Sequence, residues 1–280
     1  MTPLLLLLLS PLPKVPANTL SPFEREAGWE LLFDGRSLAG WHRFGQPDTP
    51  RAEGGWEVVD GCLHLPAGGK GGDLATDRSF GDFELELEWR VAPGANSGVK
   101  YRVAETEGVA WMVGPEFQVL DDERHPDGKA PITSAGSLYA VMVPEGKALR
   151  PVGEFNRSRI VARGDRIEHW LNGLRVVETT IGSPAWEQRK AASKFASVEG
   201  FATGRGVIGL QDHGDEVWFR SIRLRDLESQ PGTSVEIFDG ETLAGWKAYG
   251  DARYVPDQGS ILGEVDGGGQ SFLVSERSFG

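Results

Sequence analysis

Phe83-Glu84-Leu85-Glu86-Leu87-Glu88-Trp89-Arg90 decides the fold class. Its strict alternation puts Phe83, Leu85, Leu87 and Trp89 on one face and the charges on the other, the period of a strand with one buried side. A second signal is Ile167-Glu168-His169-Trp170-Leu171, then Asn172-Gly173, then Leu174-Arg175-Val176-Val177. Asn-Gly supplies the two positive-φ residues of a type I′ turn, so this stretch predicts a hairpin. Further strands are predicted at 56–60, 62–65, 98–103, 116–120, 137–143, 155–163, 206–211 and 216–225. Only Pro184–Ala196 predicts a helix, with Ser183 as N-cap and Pro184 at the first helical position. Many short strands with one short helix imply an all-β protein, a two-sheet sandwich or jelly roll.

The composition agrees. Glycine reaches 38 of 280 residues and proline 17, as a turn-rich β protein requires. The formal net charge of −12 argues against a nucleic-acid partner or a polybasic membrane-surface role. Cys62 is alone, has no partner for an intrachain disulfide, and sits in an apolar run where it reads as a small buried hydrophobe. The Leu4–Leu9 run is far too short to span a bilayer. With Pro11, Pro13, Pro16 and a cleavable small residue such as Ala17 after it, it reads as a short export signal. Residues 1–26 are therefore set apart from the fold, and an extracytoplasmic (periplasmic or secreted) location is expected.

A long-range repeat divides the chain. Phe33-Asp34-Gly35-x-x-Leu38-Ala39-Gly40-Trp41 recurs as Phe238-Asp239-Gly240-x-x-Leu243-Ala244-Gly245-Trp246, and Arg78-Ser79-Phe80-Gly81 recurs as Arg277-Ser278-Phe279-Gly280. This spacing is too long for a solenoid and predicts tandem domains. The expected organisation is one domain over 27–227, a linker over 228–235, and over 236–280 the truncated start of a second β copy.

Several segments, in order, resemble the 3-keto-disaccharide hydrolase family of concanavalin/glucanase-like jelly rolls. They are Leu32-Phe33-Asp34-Gly35 with Leu38–Trp41, Gly81–Arg90, Asn96-Ser97-Gly98, Glu116–Asp121, His169–Gly173 and Gly209-Leu210-Gln211-Asp212-His213-Gly214. The resemblance implies a secreted or periplasmic bacterial enzyme acting on oxidised glycosides. A ketone at C3 of a sugar acidifies the C2 proton. Removing that proton and expelling the group on C1, with water then added, amounts to hydrolysis. Such chemistry needs one base, one acid for the leaving oxygen and donors near the enolate.

The residues offer candidates for these roles. Glu116 and Gln118 are two apart on a strand and share a face, while Phe117 and Val119 point to the core. Glu116 and His213 form the expected acid/base pair, with Asp212 beside His213 to orient the imidazole. Gln211, Asp212, Gln118, Asp121, Asn96, Lys100, Arg102 and Glu88 are expected to bind substrate. Lys100 and Arg102 equally suit surface salt bridges to the 84/86/88 carboxylates, and a plain solvent face suits Glu84, Glu86 and Glu88 better than a cleft. Trp170 suits sugar stacking, but core packing or hairpin support fits it better.

No cofactor is expected: there is no phosphate loop and no nucleophile elbow, and Gly68–Gly72 reads as a flexible hairpin tip. His42 and His125 lie in loops where, with Asp48 or Asp127, they could make an ion site, but no metal-ligand spacing supports one; a bound divalent metal stays open. The expected partner is a small oligosaccharide or glycoside. Two other readings stay open at this stage: a non-catalytic carbohydrate-binding module, and an ordinary glucan hydrolase with two flanking carboxylates.

Overall fold

The computed structural model describes residues 16–46, 55–104, 112–228, 242–249, 253–257, 260–264 and 272–275. The Leu4–Leu9 run, most of the linker and the Arg277–Gly280 repeat lie outside these. Among the described residues no helix is long and apolar enough to cross a membrane. Two compact units, 1–229 and 230–280, are described separately.

In the first unit the strands are β1 (Trp29–Leu31), β2 (Trp41–Arg43), β3 (Glu57–Val59), β4 (Cys62–Leu65), β5 (Leu74–Phe80), β6 (Phe83–Val91), β7 (Asn96–Val103), β8 (Glu116–Leu120), β9 (Asn156–Arg163), β10 (Arg166–Leu171), β11 (Leu174–Thr180), β12 (Gly206–Leu210) and β13 (Val217–Asp226). One antiparallel sheet runs β11-β10-β9-β6-β13-β4-β3, with β1 also paired to β13; the other runs β2-β5-β12-β7-β8. This is the expected jelly-roll β-sandwich. Phe83, Leu85, Leu87 and Trp89 of β6 meet Val99, Tyr101, Phe117 and Val119 of the second sheet in one core. Burying such apolar faces stabilises by roughly 25 cal/mol per Å² removed from water.

The alternation in β6 has a second consequence on the outer face. Glu84 pairs with Arg159 and Arg225, Glu86 with Arg157 and Arg223, and Glu88 with Arg220. The row of carboxylates is thus held by arginines of β9 and β13, the strands on either side. The alternative pairing with Lys100 or Arg102 does not occur, because those residues belong to the other sheet.

Asn172 (φ 50°) and Gly173 (φ 86°) form the predicted turn, and only glycine takes the second angle without strain. Two local expectations fail. Residues 137–143 form no strand: Leu138 makes isolated bridges to Phe117 and Met142, and Ala140 has φ 59°, so the apolar pattern there follows burial in a turn. The helix ends early, at Pro184–Ala191, leaving Lys194 and Phe195 in the following turn.

The fold also starts before residue 27. Helix α1 (Pro22–Glu26) carries a capping box between Ser21 and Glu24. Asn18 donates to the Gly61 carbonyl at 2.8 Å and accepts from the Ser221 amide at 2.8 Å, and Glu24 pairs with Arg223.

In the second unit Trp246–Tyr249 pairs antiparallel with Phe272–Ser275, and Arg253–Asp257 with Ser260–Glu264.

Candidate active site

The site is built on the outer face of the second sheet, where β8 lies beside β7 and Lys100 is directly opposite Glu116. Glu116 and Gln118 leave this face together, as their spacing requires, and both are buried: Glu116 is 5% and Gln118 1% exposed. Glu116 Oε2 is 3.7 Å from Lys100 Nζ. In the amide orientation that satisfies its neighbours, Gln118 donates to Glu116 Oε1 at 3.1 Å and to the Ser97 carbonyl at 2.9 Å. Gly98 makes this possible, since a Cβ there would lie 2.2 Å from Glu116 Oε1. The glycine of Asn96-Ser97-Gly98 is therefore a space for a carboxylate.

Burial pushes the Glu116 pKa up; the charges of Lys100 and, less strongly, Lys194 and His213 pull it down, and Asp73 raises it again. Desolvation wins over attraction, so the group is more basic than an ordinary glutamate. Lys100 donates to the Met112 carbonyl at 3.1 Å. Asp73 is also buried, its pKa raised by burial although its oxygens accept the Asp212 amide at 2.9 Å and the Met112 amide at 3.5 Å. These bonds fix Asp73 as a scaffold.

The mouth of the site comes from loops. Tyr139 donates to Asp127 Oδ2 at 3.2 Å, and burial followed by the Asp127 charge pushes its pKa up to about 12. Lys194 Nζ lies 4.3 Å over the Tyr139 ring. The Lys194 side chain is largely open to solvent, yet partial burial lowers its pKa against the opposing pull of Glu116. His213 is exposed, with Asp215 Oδ2 3.4 Å from its Nδ1, and its ring meets that of His125 at 5.7 Å.

The other expected residues divide sharply. Gln211 borders the site just after β12, where its amide donates to Gly98 and its carbonyl accepts from the Ser97 hydroxyl. Asn96 is buried on β7, and its amide donates to Asp215 at 3.0 Å. Asp212 does not orient His213: its carboxylate accepts the Gly72 and Gly214 amides, both at 2.8 Å, and Asp215 faces the imidazole instead. Asp121 accepts the backbone amides of Gly94, Glu123 and Arg124 and so shapes a loop. Arg102, at φ 50°, turns away to donate to the Gly81, Ala202 and Gly164 carbonyls and to Asp82. Glu88 is on the other sheet, held by Arg220 and Ser221. Trp170 on that sheet has Arg159 and Arg175 against its ring.

Sequence reasoning missed Asp73, Tyr139, Lys194 and Asp215 as site residues and weighed Asp127 only as an ion ligand. None sits in a motif: Tyr139 falls in the stretch read as a strand and Lys194 in the stretch read as a helix, yet both stand in turns, and Asp73, Asp127 and Asp215 come from connections between strands. Depressions of about 480 and 830 Å³ lie on the charged face of the first sheet, lined by Glu86, Glu88, Arg157 and Arg220. Those groups neutralise one another. Around Glu116, by contrast, two carboxyls, Glu116 and Asp73, are buried with their pKa values raised, which makes this the candidate for chemistry.

The model of the 3-keto-alpha-glucoside-1,2-lyase-like domain matches residues 28–225. A curated 3-keto-disaccharide hydrolase of Bacteroides thetaiotaomicron is 32% identical over 232 residues, covering 72% of this chain and 79% of the relative. A crystal structure from Parabacteroides distasonis, assigned as a glycosyl hydrolase, superposes with a TM-score of 0.68 at 31% identity, covering 76% of this chain and all of that one. A second from the same organism, assigned likewise, gives 0.53 at 27% identity, covering 72% and 84%.

Proposed function

Because this chain belongs to the 3-keto-alpha-glucoside-1,2-lyase-like family, we propose that it is a hydrolase of 3-keto-disaccharides and related 3-keto-glycosides, with Glu116 as the base that removes the C2 proton. The observation that carries this reading is the enclosed carboxylate itself: basic through burial, steered by the Gln118 amide and kept ionisable by Lys100. A general base works best when its pKa is raised toward the working pH.

Glu116 takes the C2 proton, and the C–H pair becomes the enolate of the C3 ketone. The enolate collapses to restore C3=O and form C1=C2, the C1–O bond breaks, and the departing oxygen takes a proton. Water then adds its hydroxyl to C1 and a proton to C2, which completes a net hydrolysis. Lys100 and Lys194, whose charges both act on Glu116, are the cations available to stabilise the developing enolate. Lys194, at the mouth and with its pKa lowered by partial burial, is proposed beside His213 as proton donor for the leaving oxygen. His213 stands at the same rim, close enough for its charge to act on Glu116.

Two wider readings go with this one. The unit over 230–280 is supported as the start of a second copy by its pairing: Trp246–Tyr249 lies against Phe272–Ser275 as Trp41–Arg43 lies against Leu74–Thr76. The second is an extracytoplasmic location, proposed from the apolar Leu4–Leu9 run alone.

The test is incubation with a 3-keto-glucoside in deuterated water. Deuterium at C2 of recovered substrate, or release of the aglycone, supports the reading. Binding without exchange or release would sink it in favour of a carbohydrate-binding module, and cleavage of unoxidised glucan would sink it in favour of an ordinary glucanase.

A further inference from the structure

Three side chains at the rim go beyond the proton chemistry. His125, from the loop after β8, and His213 and Asp215, from the loop between β12 and β13, each present one ligand atom, and these atoms all lie within 4.8 Å of one another. The two histidines are far apart in sequence, which is why no ligand spacing is visible there. We propose that His125, His213 and Asp215 hold a divalent transition-metal ion of the zinc or cobalt type at the mouth of the Glu116 site.

The geometry supports this. Two ligands bonded at about 2.1 Å with a tetrahedral angle stand about 3.4 Å apart. His213 Nδ1 and Asp215 Oδ2 already stand 3.4 Å apart. His125 closes the remainder by a rotation of a half-buried side chain. Asp215 is braced, its Oδ2 accepting the Asn96 amide at 3.0 Å, and such outer bonds hold a ligating carboxylate in place. The ligand set is chemically selective: two imidazoles and one carboxylate suit borderline ions and leave coordination positions open. His125 bears the identifiable cost, because its Nδ1 now accepts the Asp127 amide at 3.1 Å and ligation through that nitrogen releases the amide.

An ion at this place would supply a Lewis acid at the rim of the Glu116 site. It would also make His213 a ligand, which leaves the leaving-group proton to Lys194.

The experiment uses full-length protein stripped with chelator and titrated without any sugar, first with Zn²⁺ by calorimetry and then with Co²⁺ by visible absorption. One ion per chain is expected, with a cobalt d–d band and a shift of the Asp127 amide resonance. His125→Ala and Asp215→Asn should each weaken binding about 10-fold or more, while His64→Gln, on the opposite sheet, should bind as the unaltered protein does. Circular dichroism checks that the variants fold, and Asp215→Asn keeps an oxygen for the Asn96 amide. No saturable binding, or equal binding in the His125 and Asp215 variants, would overturn the proposal. Because no substrate is present, the outcome is independent of whether 3-keto-glycosides are cleaved.

Discussion

Glu116 Oε2 stands 3.7 Å from Lys100 Nζ with both side chains nearly closed to solvent, so a carboxylate and an ammonium share an enclosed space on one sheet face. Two strands meet there in register, and Gly98 leaves room for the carboxylate to lie flat against β7. The pair is looser than a hydrogen bond, since Lys100 gives its close contact to the Met112 carbonyl. Glu116 is thereby held ionisable without being neutralised, and that balance sets the first two predictions.

Glu116→Gln keeps the shape of the side chain and removes its basicity. C2 exchange and aglycone release should fall at least 100-fold, the lower range for loss of a general base. Burial raises the Glu116 pKa, so the acidic limb of kcat/KM in the unaltered enzyme should lie above the ordinary glutamate value of 4.5. The same shift bears on stability. A carboxyl whose folded pKa lies above its unfolded value loses stability as pH rises from the unfolded pKa to the folded one. Glu116→Gln should therefore be less destabilised than the parent by raising the pH above 4.5. Denaturant melts at several pH values, run beside the rate profile, check both.

Lys100→Met leaves Glu116 and Asp73 enclosed without their shared cation. Removing one partner of a buried pair costs about 3–5 kcal/mol. The loss should be smaller at low pH, where the carboxyls accept protons instead. Adding Glu116→Gln to Lys100→Met should restore part of the stability and leave the share owed to Asp73. A double mutant with no recovery would show that Lys100 acts mainly through Met112.

Much of this framework was legible in the residues, and the limits of legibility have physical causes. Alternation in Phe83–Arg90 placed one face in the core because a strand has a period of two and this sheet has one dry side. The same rule put Glu116 and Gln118 together. Asn172-Gly173 announced its turn because few residues tolerate two positive φ values. The pattern over 137–143 misled, since buried Leu138 and Val141 mark a packed turn as readily as a strand. The rim was hidden: His125 and Tyr139 come from the long connection between β8 and β9, Lys194 from the turn after the helix and Asp215 from the loop between β12 and β13, and no local rule brings such residues to one place. Asp212 and Asp121 looked like site carboxylates by neighbourhood, yet backbone amides consume both, and only the folded chain shows that.

Trp89 Nε1 donates to Ser158 Oγ at 2.7 Å inside the core, with neither residue more than 1% exposed. Ser158→Ala strands a buried indole N–H, a loss of about 1–3 kcal/mol. In a domain of this size each kcal/mol lowers Tm by roughly 2–4 °C. The bond belongs to the sheet opposite Glu116, so KM and kcat measured well below the melt should not change. A calorimetric scan and steady-state rates separate the two effects.

His169 supplies the opposite pH dependence to Glu116. Its Nδ1 faces the Gly136 carbonyl at 3.2 Å and its Nε2 faces the Tyr101 hydroxyl at 2.8 Å. A carbonyl can only accept, so Nδ1 carries the proton and Nε2 accepts from Tyr101. Burial lowers the pKa from 6.5 to about 4, outweighing the bonds to Gly136 and Ser137. With the folded value below the unfolded one, there is no penalty above 6.5, where both states are neutral. As pH falls from 6.5 toward 4 the unfolded chain gains a proton that the folded one refuses, and stability declines by an amount on the order of 3 kcal/mol. That is a large fraction of the 5–15 kcal/mol typical of a domain. His169→Gln, which offers an amide donor and acceptor in the same space, should flatten the stability curve between pH 6.5 and 4 even if it is less stable at pH 8. An unchanged slope in the variant would assign the acid sensitivity to the carboxylates on the outer face of the first sheet, where Glu86, held by Arg157 and Arg223, has a lowered pKa and loses its stabilising charge only at lower pH.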